Sequence, residues 1–242
     1  MSEMIKISQK QYEMQCCLAP PCAFLTYPNE YYIDRNGTKE LAIKEKDNCF
    51  CQKACHPMVR SYESEIMPRP GVKYTAVRDW AWAACCPACP CWMPYVKVLN
   101  ASGKVIGVVK QECPSVYMCL YMACMFKGDP AEKLSLWRIY KRCAINCHTC
   151  CSVGCCGSVG KELNFDVGKF GPGMKWEKHD GETFKKVHSG CWREWCTAAD
   201  NYELSLSTDN DEAALQIAAM QFLDMLFFEN PFGTGPNGCH NP

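Results

Sequence analysis

The segment from Ala213 to Phe228 constrains this chain more than any other, because it is apolar on nearly every side and only Gln216, Gln221 and Asp224 interrupt it. A surface helix keeps one wet stripe; a helix without one has to be enclosed by protein or lie in a bilayer. Asp209 or Asn210 supplies an N-cap, Asp211 and Glu212 place acidic charge in the first turn, and Pro231 ends the element. The apolar run would be about 24 Å long at about 1.5 Å per residue, short of a bilayer core of about 30 Å. Asp224 at the centre of that core would cost about 2.5 kcal/mol or more. The expectation is therefore a helix over about 211–229 that protein surrounds.

A wall is needed around such a helix, and the rest of the chain reads as strands. Glu30 to Gly37 followed by Thr38 to Lys44 forms two short alternating runs about an Asn-Gly turn, a strong local hairpin signal. Tyr95 to Leu99, Asn100 to Gly103 and Lys104 to Val109 repeat the pattern with the same turn chemistry. Lys133 to Tyr140 adds a further strand-like unit. Asn48 to Cys55 and Cys143 to Cys150 each follow strand-like sequence, a trace of internal duplication. Evenly spaced short strands argue for a barrel or sandwich.

The final fifty residues carry an ordered set of matches to one family. Ser189-Gly190, Arg193-Glu194, Thr197 and Asp200-Asn201-Tyr202 precede the apolar helix, and Phe222 to Glu229 closes it. This order resembles the C-terminus of phospholipid scramblases, where "W-S-G-x-x-R-E-x-x-T-D-A-D-N-F" leads into a helix ending "F-L-I-D-F-M-F-F-E". The resemblance extends over about 25–232. It implies a mainly β fold: a closed antiparallel twelve-stranded tubby-like β-barrel enclosing the C-terminal hydrophobic α-helix. Residues 1–24 then form a short Cys- and Pro-containing N-terminal segment, 25–232 the barrel domain with its helix, and 233–242 a flexible Gly/Pro/Asn tail.

The 22 cysteines in 242 residues would mean disulfides in a short secreted chain. Met1 to Ile7 lacks a basic region followed by an apolar one, so the chain is expected to face the cytosol, where disulfides rarely persist, and the resemblance implies the cytoplasmic face of a membrane. Three fates remain open for the thiols. Cys86-x-x-Cys89 and the group Cys147, His148, Cys150 and Cys151 have spacing that suits tetrahedral zinc. The run Trp80 to Met93 holds Cys85, Cys86, Cys89 and Cys91 among Pro and bulky apolar residues, a substrate for thioester acylation. Free thiols are the third. Scramblases carry "C-C-C-P-C-C-L" at the corresponding place, so the resemblance implies palmitoylation of those four cysteines.

The resemblance also implies a calcium site in the stretch before the helix. Here that stretch runs from Ala198 to Asp209 and offers Asp200, Asn201, Glu203, Ser205 and Asp209 as oxygen ligands. Ala198 stands where the family has a carboxylate, and Glu203 replaces a glycine. The plainer reading makes Tyr202, Leu204 and Leu206 the inner face of a last strand, with Glu203, Ser205 and Ser207 facing out. Lys175 to His188 interleaves basic and aromatic residues that suit anionic headgroups or, more simply, a solvated strand edge.

Basic and acidic residues balance at 26 each, which gives no electrostatic steering toward nucleic acid. Five scattered histidines pair with no Ser or Cys nucleophile, and no phosphate-cradling glycine loop or dinucleotide fingerprint occurs, so no covalent catalytic residue is assigned. Two function classes follow from the resemblance. One is an acyl-anchored, calcium-responsive protein that moves phospholipids between leaflets without ATP, with Trp192, Trp195 and Asp224 as residues along the lipid path. The other is a membrane-tethered scaffold that docks protein partners on the barrel surface.

Overall fold

The structure, a computed structural model, describes residues 2–10, 29–46, 61–79, 95–111, 120–127, 135–142, 162–170, 176–178, 183–187 and 201–225. Thirteen strands and one helix occupy them. The strands are β1 (Ser2–Gln9), β2 (Glu30–Arg35), β3 (Thr38–Glu45), β4 (Tyr62–Arg69), β5 (Val72–Arg78), β6 (Tyr95–Leu99) and β7 (Val105–Gln111). They continue as β8 (Leu120–Lys127), β9 (Ser135–Arg142), β10 (Glu162–Phe170), β11 (Trp176–Lys178), β12 (Phe184–Val187) and β13 (Asn201–Ser207). The helix α1 (Asn210–Leu223) follows β13 directly.

All the strands join one antiparallel sheet in the order β11-β10-β12-β13-β1-β2-β3-β4-β5-β6-β7-β8-β9, and β9 also pairs with β10. From β1 to β9 each strand hydrogen-bonds to the next in sequence, as successive hairpins dictate. The mainly β, antiparallel expectation with a single C-terminal helix holds among the described residues. Both hairpins read from turn chemistry are present, as β2–β3 and β6–β7. Asn36 and Gly37 have φ of 52° and 82°, the left-handed pair that an Asn-Gly hairpin turn requires.

The expected boundary between an N-terminal segment 1–24 and a barrel starting at 25 needs correction. β1 lies between β13 and β2, pairing Ser2 to Ser8 with Ser207 to Asn201 and Lys6 to Gln9 with Asp34 to Tyr31. The reason is its alternation: Ile5, Ile7 and Gln9 turn into the core while Glu3 and Lys6 face out. Val72–Arg78 and Tyr62–Arg69 form another hairpin about Pro70-Gly71, where Gly71 adopts a φ of 79°.

The core is the space between the sheet and α1. Ile5, Ile7, Tyr31, Ile33, Ile43, Ile66, Val96, Val98, Leu204 and Leu206 come from the inner face of the strands. Every residue of α1 from Ala213 to Leu223 is buried, the two glutamines included. The helix touches β4, β5, β6, β7, β8 and β13, so several sides of it meet protein. Small residues make that fit possible: Ala213, Ala214, Ala218 and Ala219 let strands approach the helix closely.

Candidate functional site

Of the residues that bore the resemblance, Asn201 and Tyr202 lie on β13, Phe222 and Leu223 on α1, and Asp224 and Met225 directly after it; the others lie outside the described residues. In β13, Tyr202, Leu204 and Leu206 point inward as the alternation required. Asp209, in extended conformation, caps the helix by accepting from the backbone N–H groups of Asp211 and Glu212. Around it, Ser207 N–H donates to Gln216 Oε1 at 2.8 Å and Ser207 Oγ donates to Glu212 at 2.6 Å. Arg69 donates to the Ser207 carbonyl at 2.7 Å and also to Asn210, and the Tyr74 hydroxyl donates to Asp211 at 2.7 Å. Burial, and after it that bond to the Asp211 carboxylate, holds the Tyr74 phenol well above its ordinary range.

At the far end of α1 the chemistry changes. Asp224, 1% exposed, accepts from the hydroxyls of Tyr31 and Tyr202, one on each carboxylate oxygen. Both tyrosines are buried as deeply, and both reach the helix from the inner face of their strands. Lys186, 2% exposed, sits directly across β12–β13 from Tyr202. The guanidinium of Arg78, 1% exposed, lies 5.9 Å from the centre of the Phe222 ring. Nearby, Gln9 Nε2 donates to Asn29 Oδ1 at 2.8 Å, and the Asn29 N–H donates to the buried Glu45 carboxylate at 3.0 Å. A buried carboxylate bound by two hydroxyls satisfies the rule that polar groups in a core be partnered.

The expected calcium ligands are distributed differently. Asn201, Glu203 and Ser205 occupy alternate positions of β13, the first two half-buried and Ser205 buried, at about 3.3 Å per residue in extended chain, so they are strung along the strand. Glu203 bridges Lys185 at 2.8 Å and Lys6 at 3.4 Å, and the Lys185 hydrogen bond in particular holds its carboxyl below the usual range. Ser205 Oγ accepts from the Thr183 N–H at 2.9 Å, and Asp209 serves the helix. Among the described residues, no three His, Cys, Asp or Glu side chains gather as a metal site. Asp200 lies outside the described residues, as do Cys85, Cys86, Cys89, Cys91, Cys147, His148, Cys150, Cys151, Trp192 and Trp195.

The basic stretch read as a headgroup contact or a solvated edge takes a third form. β12 has β10 on one side and β13 on the other, and Phe184 and Lys186 turn into the core. Lys186 is thereby removed from the surface. Sequence reasoning singled out Asp224 but missed Tyr31, Arg78 and Lys186. The available signal was a carboxylate in an apolar helix, which demands a partner, together with a tyrosine at an inward position of an alternating strand.

Among the described residues no helix is long and apolar enough to cross a membrane. Compared with family models, curated proteins and solved structures, the chain matches none.

Proposed function

We propose that this chain is a phospholipid scramblase-like protein: a tubby-like barrel, acyl-anchored at the cytoplasmic face of a membrane, that moves phospholipids between leaflets in both directions without ATP. The observation that carries the reading is a meeting of the two halves of the C-terminal motif. Tyr202, from Asp200-Asn201-Tyr202, donates to Asp224, from the Phe222 to Glu229 segment, so last strand and helix form one unit.

The architecture that goes with this reading is a closed barrel of twelve lanes. β11 pairs with 168–170 of β10 and β12 with 162–165, so the two short strands follow one another along a single lane. In this reading the ladder between β9 and β10, from Asp166↔Tyr140 to Lys169↔Trp137, is the seam at which the barrel closes. In such a barrel α1 is the axis, and Cys85, Cys86, Cys89 and Cys91 carry the acyl chains.

The activity is not bond chemistry. A polar path lowers the cost of carrying a headgroup through hydrocarbon, and Trp192, Trp195 and Asp224 are its candidate residues. Asp224 joins that path once the end of the helix parts from Tyr31 and Tyr202. Calcium response through Asp200, Asn201, Glu203, Ser205 and Asp209 requires Glu203 to leave its lysines and Asp209 to leave the helix cap. Zinc at Cys147, His148, Cys150 and Cys151 is the proposed alternative fate of that thiol group.

One observation favours a second reading, a membrane-tethered scaffold: α1 from Ala213 to Leu223 is buried throughout and offers lipid no surface. The two readings separate in vesicles containing fluorescent headgroup lipids, reconstituted with the acylated protein and bleached from outside by an impermeant reductant. Bleaching beyond one leaflet is the expected result. Bleaching confined to the outer leaflet, with and without calcium, removes the transport reading and leaves the scaffold. Replacing Cys85, Cys86, Cys89 and Cys91 by Ser should release the protein from membranes, and full retention would remove the anchor.

A further inference from the structure

Apart from 179–183, which links β11 to β12 along one side of β10, the direction of the strands divides the connections between elements into two sets of opposite character. Because each ladder is antiparallel, β1, β3, β5, β7, β9 and β12 end where β2, β4, β6, β8, β10 and β13 begin. The connections 10–29, 46–61, 79–94, 112–119, 143–161 and 188–200 therefore leave from and return to one end of the sheet. The connections 36–37, 70–71, 100–104, 128–134 and 171–175, and the turn 208–209 into α1, belong to the other.

Twenty of the 22 cysteines lie in the first set and none in the second. Five of the 7 tryptophans, Trp80, Trp82, Trp92, Trp192 and Trp195, belong to the same connections, and Trp137 and Trp176 lie within β9 and β11. Charge follows the same division. The chain has four stretches of fourteen or more residues without Asp, Glu, Lys or Arg, namely 14–29, 80–96, 113–126 and 143–160, and each lies in or across a connection of the first set. The opposite turns are built from Asn-Gly, Pro-Gly and Gly-Asp-Pro sequences and carry six charges in 23 residues.

We propose that the cysteine-bearing end of the sheet is the face that meets a phospholipid bilayer, with the strands running away from the membrane and the Asn-Gly and Pro-Gly turns furthest from it. This rests on the membrane-associated reading above and adds to it an orientation and a surface. The composition fits a lipid interface on three independent grounds. Tryptophan partitions to the headgroup level, where its ring is half apolar and its N–H can be solvated. Long uncharged stretches avoid the desolvation that lysine or glutamate would suffer there. Thiols spread over six neighbouring connections offer several acylation positions on one side, and stable anchoring takes more than one chain. The orientation also brings the buried C-terminal end of α1 to the membrane side. β13 runs away from the cysteine end and α1 runs back, so Asp224 finishes beneath that end, beside the first residues of β2 and β13.

The test uses the same reconstituted vesicles, prepared with phosphatidylcholine and phosphatidylserine brominated in the acyl chains, and reads tryptophan emission. Against unbrominated vesicles the full chain should lose about half of its emission or more, since most of its tryptophans belong to the proposed face. The Trp137→Phe/Trp176→Phe variant should be quenched by a larger fraction than the parent. A chain in which the five others are Phe, and only Trp137 and Trp176 remain, should be quenched little. Equal emission in both kinds of vesicle, or equal fractional quenching of the two variants, overturns the proposal. Should the fivefold variant fail to fold, the parent and the Trp137→Phe/Trp176→Phe chain decide the matter alone. The outcome is separable from leaflet exchange: quenching without exchange keeps this surface and removes transport, and exchange without quenching does the reverse.

Discussion

The two ends of α1 are held by different chemistry, and the contrast shows where this fold keeps its polar groups. At the N-terminal end, Asp209 is exposed and Asn210, Asp211 and Glu212 are half-buried, so water shares the work of the cap, Arg69 and Tyr74. At the C-terminal end, Asp224, Tyr31 and Tyr202 are sealed from solvent, with Lys186 buried on β12 beside β13 and Arg78 of β5 buried over Phe222. A bond lost at the first end is replaced by one to water; a bond lost at the second leaves a buried group bare. The same kind of contact should therefore differ in energetic weight by its position along the helix.

Replacing Asp224 by Leu is the strongest way to break that comparison. The substitution removes the acceptor of two buried hydroxyls at once and should destabilise the protein by about 3 kcal/mol or more, read as a lower urea midpoint at constant slope. A loss near zero would mean that the tyrosines find other partners and that the polar end of the core is permissive. Tyr31→Phe and Tyr202→Phe each delete one hydroxyl and leave the ring, and each should cost about 1.5–3 kcal/mol because the acceptor is a carboxylate. Their effects should not add, since both act on one carboxylate, and a double-mutant cycle measures the coupling.

Asp209→Ala probes the opposite end. It removes the side-chain acceptor for two helix N–H groups that water can reach, and about 1 kcal/mol is expected from the same denaturation measurement. Were this loss as large as that of Asp224→Leu, the contrast between the ends would be wrong.

How much of this was legible beforehand follows the range of the interactions. The β2–β3 and β6–β7 hairpins were readable because Asn36-Gly37 and Asn100 to Gly103 fix their turns within a few residues. The helix start was readable from Asp209, and the inner face of β13 from the alternation of Tyr202, Leu204 and Leu206. β1 was not, since its eight residues gain strand character by pairing with β13, about two hundred positions away. Lys186 was misread for the same kind of reason: a lysine looks solvated until neighbours on both sides put its strand inside the sheet. Asp224 announced a partner, but the bond to Tyr31 spans 193 positions, and no local pattern specifies which tyrosine arrives. The oxygen-rich stretch before the helix is a different case. Its composition suits a metal, and the alternation that makes it a strand spreads Asn201, Glu203 and Ser205 along its length.

The outer face of β13 yields the smallest effect and sharpens the comparison within a single strand, for Glu203 points out next to the inward Tyr202. The Lys185 hydrogen bond, with Lys6 assisting, holds the Glu203 carboxyl below its ordinary value of 4.5. A lowered native value means that the unfolded chain binds the proton more tightly. The contribution is then complete above about pH 4.5 and is lost as pH falls through the lowered native value. Because Glu203, Lys185 and above all Lys6 retain contact with water, its size should stay below about 1 kcal/mol and shrink further in salt. Denaturation of the parent and of Glu203→Gln should therefore differ slightly at neutral pH and converge in acid, while the cost of Tyr202→Phe, one residue away and facing inward, stays several times larger at neutral pH. A Glu203→Gln loss at neutral pH as great as that of Tyr202→Phe would show that position along and across the sheet does not set the weight of a polar contact here.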